Sequence, residues 1–230
     1  MLYIMRVYVQ RFTLNAENFI NMKNFCFFPL IVLFLSVLSC VSVQPEKPVP
    51  ERGTSGAVKT PPEKPEPGIF IMGKGRVDKD KLSIFLAQNS QQAKFDYARI
   101  LAGLYVEEAG HEGINHDVAF AQMCLETGFL SFGGLVQPEW NNFCGLGSIG
   151  PEQPGLAFPD PRTGVRAHIQ HLKAYATSDP LNLSTVDPRY KYVRLGSSPT
   201  IEGLAGTWAA DRMYHEKIYG ILQRLYAFAF

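Results

Sequence analysis

Hydrophobic positions recur at helical spacing from about Val77 to the C-terminus. In residues 115–127 they lie almost all the way round the helix, which is typical of a buried helix. Asn115 or Asp117 can cap this helix, and Gly128 can end it in the left-handed conformation. We predict further helices at residues 78–90, 93–113, 164–176 and 214–225, and expect Thr200 to cap one that runs to Trp208. The pattern predicts a mainly α domain over residues 77–230.

The N-terminal segment has a different pattern, typical of a signal peptide. Phe25 to Leu38 is an apolar run, too short for a transmembrane helix of about 20 residues. Small Ser39 precedes Cys40, as in a lipobox, so residues 1–40 are predicted to be a signal peptide after which Cys40 becomes the lipidated first residue. Met22 is a candidate for the true initiator. An ordinary cleaved signal peptide with an incidental cysteine is the alternative.

Residues 41–76 are rich in Pro, Glu, Lys, Gly, Ser and Thr up to Gly68 and contain little to bury. This composition favours a disordered, partly extended tether. Ile69 to Met72 form a short β-like run at its end. The predicted location is therefore the cell envelope, with the domain anchored to a membrane.

The net charge of the chain limits the classes of molecule that it is expected to bind. The 230 residues carry a formal net charge of +1. This gives no concentrated basic character of the kind that nucleic-acid binding requires, so we expect no nucleic-acid partner. We expect a monomer.

Glu126 is the main candidate for chemistry, because it ends a helix that is otherwise apolar. Apolar surroundings and the negative end of the helix dipole both raise the pKa of a carboxyl group. A carboxylic acid that is still protonated near neutral pH can protonate a leaving oxygen. Gln122, one turn earlier on the same face, is predicted to hydrogen-bond Glu126 and to contribute to substrate binding. A glutamate that simply points to water is the alternative.

Residues 129–150 are rich in glycine and aromatic side chains. Phe143 is of a type that stacks on sugar faces, and the amides of Asn141 and Asn142 suit sugar hydroxyl and acetamido groups. We prefer Asn142 as the substrate contact, because the other amide can cap the local turn. Core packing is the alternative for each aromatic ring.

The sequences AQMCLETG and NNFCGLG together resemble the paired motif of the bacterial glucosaminidase family, glycoside hydrolase family 73. The similarity continues through FPDPRTGVRAHIQHLKAYA, VDPRYKYV and LAGTWAADRMYHEKI. The resemblance implies a lysozyme-like, mainly helical (α+β) fold with a small irregular or β-lobe. It also implies cleavage of the β-1,4 bond after N-acetylglucosamine in peptidoglycan glycan strands, with Glu126 as general acid and no cofactor.

The resemblance also identifies site residues and one departure. In the last motif, Trp208 takes the place of the family's first tyrosine and Tyr214 that of its second. Trp208 is therefore expected to bind substrate by stacking its indole on a sugar, and Tyr214 is the expected polar partner of the sugar. Many family members have a second acidic residue in the segment that corresponds to residues 148–164. Here the candidates are Glu152 and Asp160, and neither lies in an alignable motif. The separation of two carboxyl groups decides between inverting and retaining chemistry.

Two further classes of function remain open. Cys124 or Cys144 with His168 suggests a cysteine cell-wall peptidase, which is disfavoured because Cys124 lies inside an apolar helix. The absence of an evident second acid suggests a peptidoglycan-binding lipoprotein without catalysis. His168 and His171 have helical spacing, but no third ligand joins them in sequence, so we predict structural or surface histidines and no metal.

Overall fold

The computed structural model describes residues 65–230, so the predicted signal peptide, Cys40 and most of the tether lie outside the described residues. Five α-helices are the main regular elements of this part. They are α1 (Lys79–Asn89), α2 (Phe95–Glu112), α3 (His116–Thr127), α4 (Pro161–Ala176) and α5 (Tyr214–Ala229). The mainly α, lysozyme-like class is confirmed. None of the helices from residue 65 onwards is long and apolar enough to span a bilayer.

Helix α3 lies at the centre of the domain, in contact with α2, α4 and α5. Its apolar side chains are fully buried on every side, including those of Val118, Phe120 and Met123. At its start the Asn115 side chain accepts a hydrogen bond from the Asp117 backbone N–H at 3.1 Å. At its end Gly128 adopts a left-handed φ of 57°. The buried helix and both of its boundaries are therefore confirmed.

Buried ion pairs fix α4 against α2. The Glu108 carboxylate, which is fully buried, accepts hydrogen bonds from Arg162 Nη1 at 2.7 Å and Arg166 Nε at 2.8 Å. One turn further on, Lys173 Nζ donates to Glu112 Oε2 at 2.8 Å. Removing one partner of such a pair leaves an uncompensated buried charge and is strongly destabilising. These contacts hold the inner face of α4 towards α3.

Extended segments are short in the described residues. Ile69 to Met72 form two isolated antiparallel bridges, Phe70 with Thr200 and Met72 with Ile114. Ile71 between them is fully buried, so the core includes residues ahead of Val77. The expected β-lobe between residues 148 and 164 contains one isolated bridge, Gly150 with Gln153.

The prediction of a helix from Thr200 to Trp208 was wrong. Only Ile201–Leu204 form a 3-10 turn, and the Thr200 side chain makes no capping bond. The Ser198 hydroxyl donates to the Gly203 carbonyl at 2.7 Å, and Gly206 has a φ of 84°. These features turn the chain, so that Trp208 approaches the end of α3 from a loop.

Candidate active site

Glu126 lies in the last turn of α3, next to the residue that ends the helix. The following turn is rigid, because the Thr127 hydroxyl donates to the Met123 carbonyl at 2.8 Å and accepts from the Leu130 N–H at 2.9 Å. At Gly128 the chain leaves the helix direction. Glu126 is therefore exposed to solvent at the end of an otherwise buried helix.

The surroundings of Glu126 favour its neutral form. Crowding by protein atoms removes water from around the carboxyl group and raises its pKa, even though solvent reaches the residue. Hydrogen bonds from Tyr214 and Trp208 stabilise the carboxylate and oppose this effect, but the pKa stays above its usual value. A carboxyl group that water can reach and whose pKa is raised by desolvation is suited to donate a proton.

Tyr214, the first residue of α5, donates its hydroxyl proton to Glu126 Oε1. The same hydroxyl oxygen accepts a hydrogen bond from Gln122 Nε2 at 2.8 Å. Tyr214 was predicted as a polar partner of the sugar, and in the structure its hydroxyl is engaged with Glu126. Gln122 contacts Tyr214, not Glu126 directly as predicted, and its burial makes it a support of the site.

The hydrogen bonds continue inward from Gln122 to two fully buried residues. Gln122 Oε1 lies 2.9 Å from His168 Nε2, and His168 Nδ1 lies 2.8 Å from the Tyr105 hydroxyl. Complete burial lowers the pKa of His168 to about 3, so the imidazole is neutral under physiological conditions. A chain of four hydrogen bonds thus joins the core to the candidate acid.

Aromatic rings form one side of the site. Trp208 is half-buried, and its ring centroid lies 5.7 Å from His168 and 5.0 Å from His171. His171 Nδ1 pairs with Asp187 Oδ2 at 2.7 Å, and this carboxylate is buried. The Trp208 indole favours the charged form of Glu126, and the ring is held by the helix that carries both histidines.

The loop of residues 141–147, which borders Glu126, is stabilised by hydrogen bonds from its own side chains. Asn142 is buried, and its amide accepts from the Leu146 N–H and donates to the carbonyls of Leu146 and Leu156, each at 2.9 Å. Phe143 is fully buried in the core. Neither Asn142 nor Phe143 presents a free surface to a sugar, because packing and loop geometry occupy them. At Gly145 a β-carbon would lie 3.8 Å from Glu126 Oε2, so this loop borders that oxygen.

Comparison with known proteins agrees with this geometry. The family model described as "Glucosaminidase: Mannosyl-glycoprotein endo-beta-N-acetylglucosaminidase" matches residues 102–227, the segment that contains α3, α4, α5 and all the residues above. The chain belongs to the glucosaminidase family. It is also 38% identical over 156 residues to an uncharacterized protein of Borreliella burgdorferi, a match that covers 68% of this chain and 76% of that protein. No solved structure matches the chain.

The two candidates for a second acid in this glucosaminidase differ in their surroundings. Asp160 caps α4, since its carboxylate accepts from the Thr163 N–H at 3.0 Å and the Thr163 hydroxyl at 2.7 Å. These bonds lower the pKa of Asp160, and both of its oxygens are occupied, so it acts as a helix cap. Glu152 is exposed in a turn, and no contact within residues 65–230 joins it to Glu126.

The remaining sugar-binding prediction, Asn141, lies in a left-handed turn with φ 51°. Its amide nitrogen donates to the Phe158 carbonyl at 3.0 Å. It is half-buried and retains an accessible side, so its substrate contact stays a prediction.

The cysteines of the glucosaminidase domain do not suit a nucleophile. Cys124 and Cys144 are both buried and unpaired, and burial raises the pKa of each thiol. The thiolate is the reactive form of cysteine, so this environment makes both residues inert. His168, the proposed base of a peptidase, is already bonded on both ring nitrogens.

Sequence reasoning missed the buried partners of Glu126. His168 was predicted to be a structural or surface histidine, and its contacts with Tyr105 and Gln122 were not predicted. The signal that could have found them is a histidine on the apolar face of an amphipathic helix, since such a side chain needs buried partners. Between residues 65 and 230 no group of three or more potential ligands could hold a metal ion.

Proposed function

We propose that this glucosaminidase cleaves the β-1,4 glycosidic bond after N-acetylglucosamine in peptidoglycan, with Glu126 as the general acid. The family assignment supports peptidoglycan hydrolysis. The observation that carries the choice of residue is the hydrogen-bonded, solvent-reachable position of Glu126 at the end of a buried helix, where desolvation raises its pKa.

In the proposed step, the protonated carboxyl group of Glu126 donates its proton to the oxygen of the scissile bond. The bond between that oxygen and the anomeric carbon breaks, and the leaving sugar departs as a neutral alcohol. A water molecule supplies the new bond to the anomeric carbon, and the proton that it releases replaces the one that Glu126 gave up. Tyr214 then stabilises the carboxylate that forms through its hydrogen bond to Oε1, and the Trp208 indole favours the same charged form. The donors are already in place and need no reorganisation during the reaction.

We also propose that the domain works as a membrane-anchored lipoprotein of the cell envelope. The signal-peptide pattern up to Leu38, the lipobox at Cys40 and the Pro-rich tether support this location. In polyproline form at ~3.1 Å per residue, the tether would let the domain reach peptidoglycan tens of ångströms from the bilayer.

The test is digestion of purified peptidoglycan by the purified protein, with borohydride reduction of the products and mass spectrometry. We expect reduced N-acetylglucosamine ends. Reduced N-acetylmuramic acid ends would show a different bond specificity, and cleaved stem peptides would indicate a peptidase. Sedimentation with the wall but no cleavage would make the protein a binding module. A high-mannose glycoprotein, the substrate named in the family description, serves as the second substrate.

A further inference from the structure

The buried residues behind Glu126 form one continuous series of hydrogen bonds. The series runs from Tyr105 on α2 to His168 on α4, then to Gln122 on α3, to Tyr214 on α5 and finally to Glu126. Four helices therefore contribute one residue each ahead of the acid. We call Tyr105, His168, Gln122 and Tyr214 the relay.

We propose that the relay is a positioning device that makes Glu126 Oε1 a permanent acceptor and so places the acid proton on Oε2. This inference rests on the proposed function for its catalytic meaning, but the hydrogen-bond direction can be tested without any activity. His168 and Tyr105 act through Tyr214 and are positioning residues.

The direction follows from counting protons. The Gln122 amide nitrogen faces the Tyr214 hydroxyl oxygen, so the amide oxygen faces His168 Nε2. A carbonyl oxygen only accepts, so Nε2 of the neutral imidazole carries the hydrogen. His168 Nδ1 then has a lone pair and accepts the Tyr105 hydroxyl proton. At the other end Tyr214 already accepts from Gln122, and its only proton goes to Glu126 Oε1.

The opposite direction leaves a buried donor without a partner. It requires Gln122 to turn its amide over, His168 to carry its hydrogen on Nδ1 and Tyr105 to become an acceptor. The Tyr105 proton would then need another acceptor, yet His168 is the only hydrogen-bond partner of this fully buried hydroxyl within the described residues. A buried unsatisfied donor costs about 1–3 kcal/mol, so the relay has one preferred direction.

The preferred direction of the relay determines which oxygen of Glu126 carries the acid proton. In the reversed relay a protonated Glu126 would donate from Oε1 into Tyr214, away from the substrate. In the preferred relay the proton lies on Oε2, the oxygen that borders the Gly145 loop. The hydrogen bonds of the core thus select which oxygen is available as a proton donor.

The titratable groups around the relay lie at its two ends and beside His168. Tyr214 and Cys144 face Glu126, and burial raises the pKa of both. His171 is the titratable neighbour of His168 on α4, with Asp187 paired to it, and Tyr105 faces His168 from α2. Apart from Glu126, no acidic or basic side chain within residues 65–230 forms a hydrogen bond to the relay from outside it, so the direction of the relay depends on its own hydrogen-bond partners.

The first test is the tautomer of His168 by nitrogen-15 NMR of the histidine-labelled protein, with His168→Gln to assign the signal. We expect the Nε2–H tautomer, unchanged from about pH 5 to pH 8, where exposed histidines titrate. An Nδ1–H tautomer or a doubly protonated ring would overturn the inference. A failure of the proposed glycosidase activity would leave this result intact.

The second test is Tyr105→Phe, which removes only the first donor, with Tyr97→Phe on the same helix as the matched control. We expect Tyr105→Phe to lower kcat on peptidoglycan on the order of tenfold with little change in KM. The alkaline limb of its pH–rate profile should move to higher pH, because Tyr214 donates less strongly to the Glu126 carboxylate. An unchanged kcat and profile in a folded Tyr105→Phe protein would contradict the proposal, as would an equal loss in Tyr97→Phe.

Discussion

At the scale of residues, the site rests on one carboxyl group whose environment opposes its ionisation. Glu126 ends a helix whose interior is apolar, and burial of its surroundings raises its pKa while Tyr214 and Trp208 moderate the rise. Such an arrangement lowers the stability of the folded protein, because the surrounding protein atoms limit the hydration of the charged carboxylate. The resulting loss in the free energy of unfolding should therefore be measurable.

We predict that Glu126→Gln stabilises the folded protein in a pH-dependent way. Because the folded-state pKa of Glu126 is raised, the unfolded state releases the proton first, and the wild type loses stability as pH rises from the ordinary glutamate value of 4.5 through the raised value. Glutamine does not ionise and can still accept from Tyr214. The difference in free energy of unfolding should be small at lower pH and should grow in that window.

Urea unfolding of both proteins across this pH range measures the difference. Glu216→Gln, at an exposed position on α5, controls for the loss of one negative charge. A constant difference between Glu126→Gln and the wild type at all pH values would contradict the account of the raised pKa.

At the scale of elements, α4 and the loop of residues 141–147 are in close backbone contact at Gly164. Gly164 lies in the first turn of α4, and a β-carbon there would lie 1.8 Å from the Asn141 carbonyl oxygen. This contact sets the distance between the helix that carries His168 and the loop that borders Glu126. A larger residue would have to push the two elements apart.

We therefore predict that Gly164→Ala destabilises the fold by about 3 kcal/mol, since overpacking against backbone cannot be relieved by a side-chain rotation. Gly103→Ala in the middle of α2 is the matched change, because a β-carbon there meets nothing within 4 Å. That variant should be more stable than the wild type by about 0.5–1 kcal/mol. Thermal unfolding of both variants measures the effects, and similar Tm values for the two would refute the close approach.

The helices and loops of the domain differ in how far the sequence predicts them. The ends of α3 were predictable because Asn115 and Gly128 act through local hydrogen bonds and backbone conformation. The shape of the chain from Thr200 to Trp208 was not, because a side chain bonded to a backbone carbonyl across the turn decides it. Glu126 and Tyr214 could be identified from chemistry and resemblance, whereas the burial of Asn142 and Phe143 and the contacts of His168 depend on tertiary packing.

At the scale of the whole molecule, we propose separate tasks for the glucosaminidase domain and the N-terminal region. The described residues form the glucosaminidase domain, and residues 1–76 contain the predicted signal peptide and tether. With a net charge of only +1, the protein gains little from attraction to a polyanionic wall. Anchoring near the wall would supply the local concentration that charge does not.

The anchor predicts that the mature protein begins at Cys40 with a lipid-modified N-terminus. Mass spectrometry of the protein purified from membranes should find this residue with acyl modification, and Cys40→Ala should release the protein from the membrane fraction. An unmodified N-terminus at another residue would refute the lipoprotein proposal and leave the glycosidase proposal unaffected.

The central claim is that Glu126 supplies the proton that breaks the glycosidic bond. The most direct measurement is the rate of release of reducing ends from peptidoglycan by the wild type, Glu126→Gln and Glu216→Gln across a range of pH. We predict that the wild-type rate falls at alkaline pH with a pKa above 4.5, and that Glu126→Gln loses on the order of a thousandfold in kcat at pH values below that pKa, where the wild-type acid is protonated. Glu216→Gln should match the wild type. A Glu126→Gln protein that retains the wild-type rate would contradict the account.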